Sequence, residues 1–272
     1  MEELSILQKN NFKFNKKYGQ NFIFDKNLLN AIVADSEITK DDEVLEIGAG
    51  AGTLSKIISM NSKKLVCYEI DKSLEQVLKE NLTGCNNTEI IFKDALKMPL
   101  NEIESKFDGD YYVVANLPYY ITTPLIFKFV GKTTKIKSMC IMVQKEVGDR
   151  LVATSKSKDY GSISTILDFY SNVKIVRQVP RTVFVPSPKV DSCIVKIDFV
   201  NDKYNCDKVL FEKIVKSAFS NKRKTLANNL SKDFNMTKEK IFQILSDLKI
   251  DQNIRGDALS TLEFVKIAQK FV

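Results

Sequence analysis

The run Asn116-Leu117-Pro118-Tyr119 follows the strand-like segment Tyr111-Tyr112-Val113-Val114-Ala115 and precedes a helix-like one, the place where an α/β protein carries its chemistry. An exocyclic amine on a nucleobase is a weak nucleophile because its lone pair is delocalised into the ring. A catalyst must therefore hold it with acceptors that favour a tetrahedral nitrogen. Asn116 offers the carbonyl oxygen of its amide and Leu117 that of its backbone. Pro118 fixes φ and removes a competing N–H, while Tyr119 offers a flat face on which a base can stack. The set has the makings of an amine-methylation site. The same four residues also suit an ordinary β-to-α turn, so the surrounding elements must decide.

Those elements repeat a βαβ pattern. The strand Val44-Leu45-Glu46-Ile47 runs into the turn Gly48-Ala49-Gly50-Ala51-Gly52, then a helix from Thr53 to Met60 and the strand Leu65-Val66-Cys67-Tyr68. Small residues let the turn approach a ligand, and the helix after it begins with free N–H groups. The G-x-G-x-G spacing departs from the G-x-G-x-x-G dinucleotide fingerprint. Glu69 closes the second strand, where an acid can accept hydrogen bonds from both hydroxyls of a ribose, although a solvated acid at a strand end is the plain alternative. Further strands are expected at Glu89 to Phe92, Tyr111 to Ala115, Ser138 to Val143, Val173 to Val179 and Val190 to Phe199. Asp94 and Asn116, like Glu69, then fall at strand ends and line one edge of the sheet.

The expected fold is α/β and Rossmann-like, a mostly parallel sheet with helices on both faces, followed by a small all-helical domain. Residues 1–20 form a basic arm, expected to be mobile, with Lys9, Lys13, Lys16 and Lys17 interleaved with Phe12, Phe14 and Tyr18. Such an arm can track a phosphate backbone or can simply be a frayed terminus. Residues 21–200 form the main domain, opening with Asp25 as the N-cap of a helix whose apolar face is Leu28, Leu29, Ile32 and Val33. The polar break Asn201-Asp202-Lys203-Tyr204-Asn205 starts the helical domain, 201–272. There Lys222, Arg223 and Lys224 sit beside a helix start, suited to a phosphate or to water.

Composition removes several chemistries. The 272 residues include no histidine, which excludes Ser-His-Asp and Cys-His nucleophile pairs and His-based metal sites. The five cysteines are odd in number and form no C-x-x-C pair, so neither disulfides nor a metal is expected. A net charge of +7 points to an anionic partner such as nucleic acid. No long apolar run or signal-peptide core is present, so a cytoplasmic address is expected, with a monomer as the default oligomeric state.

The protein resembles the bacterial small-subunit (16S) ribosomal RNA adenine N6,N6-dimethyltransferases. The resemblance rests on Tyr18-Gly19-Gln20-Asn21-Phe22, Leu45-Glu46-Ile47-Gly48-Ala49-Gly50, Asn116 to Pro124, Val143 to Val147 and Tyr160-Gly161-Ser162. It continues through Phe184 to Ser192 and Phe219 to Leu226. It implies S-adenosylmethionine as cofactor, bound by Asn21, Ile23, Gly48, Glu69, Asp94 and Asn116. It also implies a target adenine stacked on Tyr119, with Phe184 closing the pocket, next to the catalytic run Asn116, Leu117, Pro118 and Tyr119. The implied substrate is two adjacent adenosines in a hairpin near the 3′ end of 16S rRNA, within a partly assembled 30S subunit. Family members often carry Pro at Ala49, Asn at Tyr120 and Glu at Asp257. One rival is a large-subunit (23S) adenine methyltransferase conferring antibiotic resistance. Those enzymes favour Ser at Gly19 and Ile at Leu117. The other rival is a non-catalytic ribosome-assembly factor, against which the intact acids and motif argue.

Overall fold

The computed structural model describes Leu7, Lys9, Asn10, Phe12 and residues 19–271. In sequence order the elements of the first half are β1 (Phe22–Ile23), α1 (Lys26–Ser36), β2 (Glu43–Ile47), α2 (Thr53–Met60), β3 (Lys64–Glu69), α3 (Glu75–Asn81), β4 (Thr88–Phe92), α4 (Leu100–Glu104), β5 (Tyr111–Asn116) and α5 (Thr122–Phe129). Then come β6 (Ile136–Gln144), α6 (Lys145–Leu151), α7 (Ser162–Tyr170), β7 (Ser171–Val179), β8 (Phe184–Val185), β9 (Ser192–Phe199), α8 (Lys208–Ser220), α9 (Leu226–Phe234), α10 (Lys238–Asp247) and α11 (Thr261–Lys270). None of the described helices is long and apolar enough to cross a membrane.

The local signals act as expected. The Asp25 carboxylate accepts from the backbone N–H groups of Asn27 and Leu28 at 2.9 and 3.2 Å, a cap worth about 1 kcal/mol. Behind it Leu29, Ile32 and Val33 turn inward. All five residues of β2 are buried, as in a strand covered on both faces. The seven-stranded sheet runs β4-β3-β2-β5-β6-β9-β7. The pairs β2–β3, β3–β4, β2–β5 and β5–β6 are parallel, and β9 is antiparallel to β6. A separate antiparallel ladder pairs β1 with β8, Phe22 opposite Val185 and Ile23 opposite Phe184. Two residues are too short for a period, so no pattern announces either strand.

The protein divides into two compact units: the residues up to Gly148 with Lys174–Phe199, and Asp149–Val173 with Val200–Val272. The sequence predicts a main domain unbroken to residue 200. Instead α7 packs with the C-terminal helices, because its ring Phe169 stacks on Phe211 of α8 with centroids 4.0 Å apart. Within this second unit a Cβ on Gly256 would lie 2.8 Å from the Ala218 carbonyl oxygen, which accounts for a glycine in the segment Ile254 to Ser260.

The expected mobile arm also needs correcting where it is described. Leu7 is buried, Phe12 packs on Phe22 with ring centroids 5.9 Å apart, and Lys9 pairs with Glu80 at 3.4 Å. Apolar burial docks these residues on the first unit. Lys13, Phe14, Lys16, Lys17 and Tyr18 lie outside the described residues.

Candidate active site

Four neighbouring parallel strands end along one edge of the sheet: β4, β3, β2 and β5. The register sets Ile47 beside Tyr68, and Glu69 beside Phe92. Gly48, Glu69, Asp94 and Asn116 therefore emerge in a row. The order of strands reverses between β2 and β5, the switch point at which open α/β sheets bind ligands. A cleft of ≈ 1090 Å³, counting its space open to solvent, lies there. Asn21, Ile23, Gly48, Glu69, Asp94, Asn116, Leu117, Pro118 and Tyr119 all line it.

The glycine turn is shaped by close approach. Gly48 has φ +81°, and a Cβ there would sit 3.4 Å from Cδ of Pro118, so the turns after β2 and β5 pack directly together. Gly50 has φ +57°, and a Cβ there would come within 2.9 Å of the Phe22 ring. Only glycine meets both conditions cheaply.

Glu69 is 5% exposed, and its carboxylate is held from three sides. The backbone N–H of Gly50 donates to Oε2, and those of Ile70 and Asp71 to Oε1, each at 2.8 Å. Burial pushes its pKa up, and these three donors pull against that shift. They fill about three of the four acceptor sites of a carboxylate, so the remaining capacity is at Oε2. Asp94 Oδ1 accepts from the Leu96 N–H at 3.0 Å. Its loop is fastened from behind by Lys128 of α5, whose ammonium donates to the Leu96 carbonyl at 3.2 Å and also to that of Met98.

Asn116 is oriented by the N-terminal segment. Its Nδ2 donates to the backbone carbonyl of Asn21 at 3.1 Å, and Asn21 Nδ2 donates in turn to the Gly19 carbonyl at 3.1 Å. With the amide NH₂ committed to a carbonyl, Oδ1 is the atom left to accept from a ligand. Leu117 is 2% exposed, its isobutyl group packed in the core. The Tyr119 hydroxyl lies 2.8 Å from Ser192 Oγ, and burial raises its pKa, keeping the phenol neutral. None of Asn116, Leu117, Pro118 and Tyr119, the residues of this wall, is a strong base.

Phe184 lies beside Ile23, a residue of the cleft wall. At 3% exposure it sits opposite Ile23 in the β1–β8 ladder and within the hydrophobic core, backing the wall that Ile23 forms. Burial of a large aromatic ring against its paired strand outweighs presenting it to solvent. Sequence reasoning missed Gln20, whose Nε2 donates to Asp71 Oδ2 at 2.6 Å and pins the N-terminal segment beside the Glu69 loop. Asp71 also caps the 3₁₀ turn Lys72–Leu74, and the spacing Asp71 to Ser73 was the available signal. Glu46 was missed as well. It is 1% exposed, lines the cleft floor, accepts from the Cys67 thiol at 3.3 Å, and is pushed up to about 8 by burial.

A protein from Alkaliphilus oremlandii named Ribosomal RNA small subunit methyltransferase A is 42% identical over 268 residues, 97% of this chain and 93% of that one. The crystal structure of a dimethyladenosine transferase from Plasmodium falciparum superposes with TM-score 0.79 at 26% identity, covering 92% of this chain and 97% of that one. The 23S rRNA methyltransferase ErmE shares the fold, with TM-score 0.72, at 21% identity over 92% of this chain and 99% of that one. The profile described as Ribosomal RNA adenine dimethylase matches residues 11–271, and with the amide, glycine turn and acids aligned on one sheet edge, the protein belongs to that family.

Proposed function

We propose that the protein transfers methyl groups from S-adenosylmethionine to N6 of two adjacent adenosines near the 3′ end of small-subunit rRNA, giving N6,N6-dimethyladenosine. The observation that carries this reading is the Asn116 amide, turned by Asn21 so that its oxygen is available to a base amine. The cofactor suits the residues present. Oε2 of the buried Glu69 would accept from a ribose and Asp94 from an adenine amine, and Gly48, Asn21 and Ile23 would contact the cofactor from the glycine turn and the N-terminal segment. When bound, S-adenosylmethionine supplies an electrophilic sulfonium methyl, and the residues of this protein position the nucleophile.

Tyr119 stacks the flipped adenine, while Asn116 Oδ1 and the Leu117 carbonyl accept from its amine and draw the nitrogen toward tetrahedral geometry. As N6 bonds to the methyl it becomes cationic and acidic, and its surplus proton leaves to water. That route fits a protein with no histidine. Phe184, held opposite Ile23, closes the pocket of the target adenine from the side away from Tyr119. In the C-terminal unit Lys222, Arg223 and Lys224 are exposed just before α9, whose N-cap Thr225 accepts from Asn228. They contact rRNA phosphates. The substrate is the partly assembled 30S subunit, met in the cytoplasm by a monomer.

The test is methyl transfer from labelled S-adenosylmethionine to undermethylated small subunits, mature large subunits and protein-free 23S rRNA, with Asn116→Ala as control. Dimethyladenosine in 16S rRNA is the expected product. Label confined to 23S rRNA moves the protein to the resistance enzymes, and tight subunit binding without label makes it an assembly factor.

A further inference from the structure

Stacking a base requires the ring of Tyr119 but not its hydroxyl, and a phenylalanine would offer the same face. The hydroxyl needs its own explanation. It lies 2.8 Å from Oγ of Ser192, the first residue of β9. Ser192 is 0% exposed and stands opposite Gln144 at the end of the β6–β9 ladder, so its hydroxyl is held by the rigid sheet. Tyr119 is that hydroxyl's single hydrogen-bond partner among the described residues. Tyr119 itself belongs to the short 3₁₀ turn Tyr119–Ile121 rather than to a strand or long helix. The ring thus hangs from a turn at its Cβ end and is tied to the sheet at its Oη end.

We propose that Ser192 is a positioning residue for methyl transfer: its hydroxyl anchors Tyr119 so that the stacking face is preset for the target base. A ring tied at Oη loses its freedom about χ1, and because a phenolic hydroxyl bonds best in the plane of its ring the tie also favours one χ2, which removes part of that ordering cost from binding and from the approach to the reacting geometry. Ser192 is fully buried and its hydroxyl meets Tyr119, so it acts through Tyr119 and not on the base. The inference rests on the adenine-methylating reading of the site and adds to it the reason for tyrosine at position 119.

The experiment is a double-mutant cycle with Ser192→Ala, Tyr119→Phe and the pair. Single-turnover transfer to undermethylated small subunits is read alongside calorimetric affinity for S-adenosylmethionine and thermal melting. Each single variant is expected to slow transfer by about fivefold, the equivalent of one neutral hydrogen bond, and the double variant by no more than either. Cofactor affinity stays at the wild-type value. A purely structural serine would lower the melting temperature and leave the transfer rate unchanged, which overturns the proposal. Losses that multiply in the double variant overturn it too, since the two hydroxyls would then act separately. Wild-type protein that places no methyl on small-subunit adenosine overturns the functional reading, and the inference with it.

Discussion

Replacing Asn116 with alanine removes two interactions of different kinds. One is the bond from Nδ2 to the Asn21 carbonyl at 3.1 Å, a neutral contact worth about 1 kcal/mol. It is present before and during reaction, so its loss affects turnover only by freeing the N-terminal segment to shift. The other is acceptance by Oδ1 from the target amine. This bond strengthens as N6 gains positive charge, and bonds to charged groups are worth about 1.5–3 kcal/mol. The barrier should rise by about 2–4 kcal/mol, comparable to removal of one oxyanion-hole donor, or roughly thirty- to a thousandfold in rate. Single-turnover transfer on saturating small subunits measures this directly, and calorimetry with S-adenosylmethionine supplies the control. Glu69, Asp94 and the glycine turn are untouched, so cofactor affinity should fall far less than turnover. A variant that transfers methyl at the wild-type rate would falsify the role of the amide. One that loses cofactor affinity in proportion to rate would make Asn116 a cofactor ligand and nothing more.

Glu69→Gln places an NH₂ among three backbone donors at 2.8 Å, leaving one N–H unsatisfied at a cost of about 1–3 kcal/mol. Calorimetry should show weaker cofactor binding, and unchanged affinity would remove Glu69 from the site. Gly50→Ala forces φ +57° on an L-residue and drives Cβ to 2.9 Å from the Phe22 ring, costing about 1–3 kcal/mol of strain. A lower melting temperature with loss of cofactor binding is expected, and a neutral substitution contradicts the docking of β1 on the turn. Glu46 carries a pH signature: its folded pKa of about 8 exceeds the ordinary value of 4.5. Between those values the folded state keeps a proton that the unfolded state has released. Its contribution is therefore complete at acid pH and is lost as pH rises toward 8, by up to about 1.4 kcal/mol per pH unit. Denaturant titrations across that range should show a shallower decline for Glu46→Gln, and parallel slopes would refute the burial argument.

Much of this molecule is written in local chemistry. Apolar runs of strand length, the Asp25 cap and the small residues after β2 act within a few positions of themselves, so they are legible without knowing what they touch. Because the strands were legible, so was the alignment of Glu69, Asp94 and Asn116 at their ends. Placement on one edge then follows from a parallel sheet, since every strand points the same way. Other features depend on which distant segments meet. The β1–β8 ladder joins two dipeptides with no period, and that pairing sets the buried Phe184 opposite Ile23. Phe169 draws α7 to the C-terminal helices through a ring contact that no spacing encodes. The Asn116 amide is oriented by a carbonyl 95 residues away, and the Tyr119 hydroxyl meets a serine 73 residues away. Residue type determined which groups could do the chemistry. Their orientation was left to tertiary structure, because a hydrogen bond acts over about 3 Å and only the folded protein brings its partners within that distance.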